Sequence, residues 1–257
     1  MTETSLSIED RGPVRILTMT GRPKRGNPLS AALTRALHDA VLAAERDPEV
    51  RVMVLAGTES YFSVGADLTE VHELSATQAV LDDWLAEFDR IAQARKPLIA
   101  AVRGVALGGG FELALTCDMI VCASDAKLGL PETGIGVIAG QGGTQRLLQL
   151  AGRSVATDLI LTGRNLSGAE ALAMGIVARS CPADQVLDQA VAVAEAIAAR
   201  SQVAVRFARE VLREAADHPI RQSLKVERLL ASLVLDSQEC RDGIGEFLAR
   251  KSAGAKA

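Results

Sequence analysis

The sequence predicts an α/β protein on three observations: β-branched apolar runs alternate with helical periodicity, glycine-dense turns join the two, and the last third is helical in pattern throughout. Residues 14–20 (VRILTMT) and 50–56 (VRVMVLA) have strand composition. Between them Leu29, Leu33, Ala36, Leu37, Ala40 and Val41 recur at helical spacing. Asp10, Gly12 and Pro13 mark an entry turn before the first strand. A second helix is predicted through Leu81, Trp84, Leu85, Phe88, Ile91 and Ala92, with Trp84 and Phe88 at core spacing and pointing inward. It ends at Lys96-Pro97, ahead of the strand-like LIAAV at 98–102. The glycine-dense segment Gly104–Gly110 then leads into a short helical run, FELALTC, and a β-branched stretch, MIVCAS, at 119–124. Beyond residue 165, the stretches 184–200, 202–216, 221–235 and 239–251 read as successive amphipathic helices with few strand signals.

A chain of 257 residues, 48% hydrophobic and 23% charged, buries a sizeable core, and one main domain with a terminal appendage is the expected organisation. A net charge of -4 does not suit a protein built to neutralise a phosphate backbone, so nucleic acid is not an expected partner. Arg103, Glu112 and Asp118 interrupt the most hydrophobic stretch, and no uncharged run reaches the roughly 18 residues that span a bilayer. The acidic MTETSLSIED start has neither a signal core nor a transit-peptide pattern, so a cytoplasmic location is expected. The four cysteines, Cys117, Cys122, Cys181 and Cys240, lack C-x-x-C spacing and are expected as buried free thiols. His38, His72 and His218 are scattered, His38 and His72 reading as exposed, and no metal site is expected.

Three clusters can carry chemistry: Tyr61–Leu68, Ala106–Glu112, and Leu130–Glu132 running on to Gly140–Arg146, each read as a turn between strand and helix. Glycines ahead of a helix leave main-chain N–H groups unshielded, and such groups at a helix N-terminus attract negative charge. Chemistry at the carbon next to a thioester passes through an enolate-like oxygen, which preorganised N–H donors stabilise. Proton carriers are also needed. Glu112 sits in the first turn after the glycines and Glu132 follows Pro131, so both can face one cleft. Two carboxyls sharing an apolar pocket have their ionisations pushed apart, one accepting a proton while the other donates. Read singly, Glu112 is equally a partner for its helix dipole, Glu132 a surface turn residue, and the glycines a means of close packing.

Together and in this order the clusters resemble the enoyl-CoA hydratase/isomerase, or crotonase, family from about residue 10 to residue 251. The resemblance rests on F-x-x-G-A-D-L (Phe62–Leu68), A-x-G-G-G-x-E-L-A (Ala106–Ala114), Pro131-Glu132 and G-G-T-Q-R-L (Gly142–Leu147), with the two glutamates twenty residues apart. It implies a crotonase-like spiral of β-β-α repeats over 1–195 and a C-terminal helical trimerisation region over 196–257, with trimers pairing into hexamers. The implied activity is hydration of a 2-enoyl-CoA, with no cofactor because coenzyme A belongs to the substrate. The implied oxyanion hole is the N–H pair of Ala66 and Gly109. Glu112 activates the water, Glu132 supplies the α-carbon proton, and the N–H of Gly140 helps hold the water. Coenzyme A contacts fall on Arg22, Lys24, Val64, Ala66 and Leu68, with Phe247 and Arg250 from a neighbouring copy. Ser60, Thr69, Pro28, Arg103 and Ala139 depart from the family pattern in ways that bear on coenzyme A binding and leave the catalytic pair untouched.

Three alternatives stand beside this reading, one of them a non-enzymatic binding role that keeps the acyl-CoA cleft only as a scaffold. A 3,2-enoyl-CoA isomerase needs the oxyanion hole and chiefly Glu132. Gly134–Ala139 also spells G-x-G-x-x-A, a dinucleotide fingerprint that requires a strand before it and a helix at its end.

Overall fold

The computed structural model describes residues 6–21 and 25–254, with side chains as far as residue 251. It divides into two compact units, Met1–Glu195 and Ala196–Ala257.

The first unit opens with an antiparallel hairpin, β1 (Leu6–Arg11) and β2 (Val14–Met19), joined at Gly12-Pro13. Asp10, expected in the entry turn, is instead paired within β1 opposite Arg15, whose guanidinium it holds by two 2.7 Å hydrogen bonds. Helix α1 (Ala31–Arg46) is capped by Ser30, whose hydroxyl accepts from the N–H of Leu33, and buries Leu33, Leu37, Ala40, Val41 and Ala44. The strands β3 (Val52–Ala56), β5 (Leu98–Val102) and β7 (Met119–Ala123) run parallel in a six-stranded sheet ordered β1-β2-β3-β5-β7-β10, where β10 is Arg179–Cys181. β3 and β5 are buried at every residue, which explains continuous apolar runs without alternation.

Each of these central strands is followed by a three-residue strand of a second sheet: β4 (Tyr61–Ser63), β6 (Val105–Leu107) and β8 (Lys127–Gly129). That sheet is ordered β4-β6-β8-β9, with β9 at Leu166–Ser167. Helices close each turn. After β4 come α2 (Leu68–His72), α3 (Ala76–Leu81) and α4 (Ala86–Ala92); after β6, α5 (Gly109–Thr116); after β8, a 3-10 turn at Glu132–Ile135 and α6 (Gly143–Thr162). This is the expected series of β-β-α turns. The short second strands, read from the sequence as parts of turns, are its correction.

The predicted helix through Leu81–Ala92 is broken. Asp83 takes a left-handed φ of 46°, which ends α3 and rotates the next residues, so Phe88 and Ile91 are buried but Trp84 is 41% exposed. Beyond residue 165 the strands β9 and β10 flank α7 (Gly168–Ala173), which carries a capping box between Ser167 and Glu170. None of the four cysteines is in a disulfide; Cys117 and Cys122 are buried, whereas Cys181 and Cys240 are half-buried. His72 is exposed, but His38 is mostly covered and lies 3.0 Å from Glu87.

Helix α8 (Val186–Ala198) leads to the second unit, built of α9 (Gln202–Asp217), α10 (Ile220–Val234) and α11 (Gln238–Gly254). Ser201 caps α9, and the Ser223 hydroxyl of α10 donates to the Glu214 carbonyl of α9. Leu212, Ile220, Leu229, Leu233 and Phe247 stay exposed within this unit. Among the described residues no helix is long and apolar enough to cross a membrane, and no cluster of His, Cys, Asp and Glu has metal-site geometry.

Candidate active site

The site grows from the entry to α5. Gly108 turns the chain there at φ 54°, ψ -134°, a conformation that L side chains rarely adopt. Its successor Gly109 is the first helical residue, so no carbonyl of α5 reaches its N–H. Gly110 lets the helix lie on β4, because a Cβ there would collide with the carbonyl oxygen of Ser63.

Glu112, in the same first turn, is 2% exposed. Its Oε1 accepts two main-chain hydrogen bonds of 2.8 Å, from the N–H of Gln141 and the N–H of Gly143. Burial pushes this carboxyl above its ordinary pKa, while the main-chain N–H groups of Gly143, Gln141 and Gly140 and the charge of Arg146 pull the other way.

Glu132 opens the 3-10 turn after Pro131, and both its carboxyl oxygens are buried without a hydrogen-bond partner among the described residues. A Cβ built on Gly108 would stand 3.2 Å from Glu132 Oε1, so this acid lies against the α5 entry. Burial raises its pKa first, its own main-chain N–H opposes this in part, and the Glu112 charge raises it again. The Glu112 charge couples the two acids electrostatically. Both carboxyls are thus raised by burial, and Glu112 has the larger set of opposing main-chain donors, from Gly143, Gln141 and Gly140 against its own N–H alone for Glu132.

The oxyanion donors expected from the sequence are adjacent in space. A Cβ built on Gly109 would lie 3.4 Å from the nitrogen of Ala66, and one built on Gly65 would lie 2.9 Å from the nitrogen of Gly109. Gly65 itself turns at φ 100°, which leaves room for this approach. Neither N–H finds a hydrogen-bond partner among the described residues.

The structure therefore brings together Ala66, Gly109, Glu112, Glu132 and Gly140. Val64 and Leu68 flank Ala66 on the same segment and are exposed. Phe247 and Arg250 are exposed on α11 of the second unit. Arg22 and Lys24 lie outside the described residues. The run Gly134–Ala139 occupies the 3-10 turn and an irregular segment, and the next helix starts only at Gly143, so the strand-turn-helix context of a dinucleotide fingerprint is missing. Two participants had no separate signal in the sequence. Gly143 is one, concealed in the G-G-T-Q-R-L motif. Leu85 is the other, its Cδ1 3.3 Å from where a Cβ on Gly140 would stand.

The family model described as enoyl-CoA hydratase/isomerase matches residues 11–254. The chain belongs to this family. Within the hydratase/isomerase family it is 40% identical over 256 residues to a protein of Rhizobium meliloti named probable enoyl-CoA hydratase, covering 100% of this chain and 99% of that one. It is 35% identical to the mitochondrial enoyl-CoA hydratase of Pongo abelii, covering 93% of this chain and 83% of the relative. A crystal structure of an enoyl-CoA hydratase subunit from Geobacillus kaustophilus superposes with a TM-score of 0.94 at 35% identity, covering 97% of both chains. The crotonase-like spiral is thus the fold of this family member.

Proposed function

We propose that the protein is an enoyl-CoA hydratase, adding water reversibly to a trans-2-enoyl-CoA to give a 3-hydroxyacyl-CoA. The observation that carries this reading is the pairing of two buried carboxyls with the adjacent main-chain N–H groups of Ala66 and Gly109, which have no hydrogen-bond partner among the described residues. An isomerase needs one acid. A second buried acid, Glu112, held by two N–H donors, favours activation of water.

In the proposed reaction the thioester oxygen accepts from the N–H groups of Ala66 and Gly109. Glu112, as carboxylate, takes one proton from a water that the N–H of Gly140 helps to hold. The water oxygen bonds to C3, the π electrons move toward the thioester oxygen, and the enolate-like charge develops where the two donors point. Glu132, as carboxylic acid, delivers its proton to C2 as the carbonyl re-forms. Glu112 ends protonated and Glu132 ionised, and exchange with solvent restores both. The two carboxyls and the main-chain donors supply every proton and charge the step requires, so no cofactor is invoked beyond the coenzyme A of the substrate.

The proposed coenzyme A contacts are Arg22, Lys24, Val64 and Leu68, joined by Phe247 and Arg250 of a neighbouring copy in a trimer or a dimer of trimers. The large apolar side chains left exposed on the helical unit, Leu212, Ile220, Leu229, Leu233 and Phe247, support such an assembly, which would cover them. The proposed location is the cytoplasm, since a polyanionic thioester does not cross a membrane unaided.

The test is a panel of 2-enoyl-CoA thioesters, followed by loss of the conjugated thioester absorbance, alongside a 3-enoyl-CoA. Faster conversion of the 3-enoyl thioester than hydration of any 2-enoyl thioester would replace this reading with an isomerase.

A further inference from the structure

The side chain of Gln141 takes no part in the proton transfers proposed for Glu112 and Glu132. The residue is 9% exposed, and its Oε1 is buried without a hydrogen-bond partner among the described residues. Its main chain is tied at both ends: the N–H donates to Glu112 Oε1 at 2.8 Å, and the carbonyl accepts from Arg146 Nη1 at 2.7 Å. The carboxamide lies against the amide pair. A Cβ built on Gly109 would meet Gln141 Oε1 at 3.0 Å and Nε2 at 3.4 Å, and the same point is 3.4 Å from the nitrogen of Ala66. One residue thus touches Glu112 through its backbone and the Gly109 edge through its side chain.

A buried amide oxygen without a donor is costly, and a native fold keeps one where a ligand or water completes it. Together with the two oxygens of Glu132, the site presents three buried acceptor oxygens that no protein donor satisfies among the described residues. The attacking water has two O–H groups. Glu112 takes the proton of one, and the other survives as the 3-hydroxyl of the product. That surviving O–H needs an acceptor that does not compete for the proton, and a neutral amide oxygen meets this condition where a second carboxylate would not.

We propose that Gln141 is a further catalytic residue of the hydration, its Oε1 accepting the hydrogen bond from the water O–H that is not deprotonated and, afterwards, from the 3-hydroxyl of the product. No covalent bond forms at Gln141. The proposal rests on the hydratase reading.

The experiment compares wild type and Gln141→Met, which keeps length and bulk and removes the amide acceptor. Two rates are read: hydration of crotonyl-CoA, and exchange of the C2 protons of butyryl-CoA into heavy water, which uses Glu132 and the amide pair but no nucleophilic water. Hydration kcat is expected to fall about tenfold, the net effect of one lost hydrogen bond. The KM for crotonyl-CoA and the exchange rate should stay within about twofold, since neither depends on the water's orientation. An equal fall in both rates overturns the proposal in favour of a packing role, and unchanged hydration overturns it outright. A measurement on wild type alone guards against a misfolded variant. By calorimetry 3-hydroxybutyryl-CoA should bind about tenfold more tightly than butyryl-CoA, and equal affinities overturn the proposal. Wild type that hydrates no 2-enoyl thioester removes the hydratase reading itself, whereas active wild type beside an unaffected variant removes only the role of Gln141.

Discussion

The N–H of Gly143, the first residue of α6, donates a 2.8 Å hydrogen bond to Oε1 of Glu112, and a Cβ built on Gly143 would stand only 2.7 Å from Glu112 Cγ. The positive end of a long helix is thereby set against a buried carboxylate, at a distance that only glycine permits. Gly143→Ala must displace the near end of the Glu112 side chain rather than its flexible tip. Hydration kcat should fall about a hundredfold, the scale expected when a reacting group is misplaced by about an ångström. Steady-state kinetics with crotonyl-CoA would check this, and a fall confined to KM would show that Glu112 had not moved.

Glu112→Gln and Glu132→Gln keep side-chain shape and remove the titrating group. Each is expected to reduce hydration by about 10²–10⁴-fold, the usual contribution of a general acid or base. The double variant should be little worse than either single one, because groups acting on one step are not additive. Glu132→Gln should still bind a saturated acyl-CoA in calorimetry. A loss of turnover below about tenfold would be too small for general acid catalysis.

The raised pKa values of Glu112 and Glu132, due first to burial, have a consequence for stability. Between the unfolded and folded values the folded protein binds more protons than the unfolded chain, so stability falls as pH rises through that window. The penalty is absent below the unfolded value, near about pH 4, and complete above the folded one. Glu132→Gln removes the penalty of one ionised, unpartnered carboxyl. Its Tm should exceed that of wild type at pH 8 by on the order of 2 °C, and the gap should close toward pH 4. A gap equal at both pH values would show that ionisation is not its source.

Gly109→Pro deletes one of the two proposed oxyanion donors at a position where helices accept proline, the first residue of α5. Hydration kcat should fall about 10²–10³-fold, the cost of one such donor. Circular dichroism would establish that α5 still forms. Full activity with an intact fold would remove the Gly109 N–H from the mechanism.

The central strands were legible because β3 and β5 are buried along their whole length, and that environment selects uninterrupted apolar sequence. β4, β6 and β8 were not. Three residues hold too little periodicity to be recognised, and these strands exist because they pair with one another across long stretches of chain. The break at Asp83 was hidden for a related reason: the apolar spacing from Leu81 to Ala92 is helical, yet the backbone reverses inside it and leaves Trp84 outside the core.

The sequence by itself determined the residue types of the site, the order of the clusters and the glycines that admit close approach at Gly65, Gly108 and Gly110. Tertiary structure alone decided which groups face one another. The acceptance of two N–H bonds by Glu112 and the seating of the Gln141 carboxamide on Gly109 depend on the α6 entry packing against the α5 entry. The physical reason is that charge and proton affinity follow from burial and from the dipoles at hand, and neither is a property of a glutamate in a string.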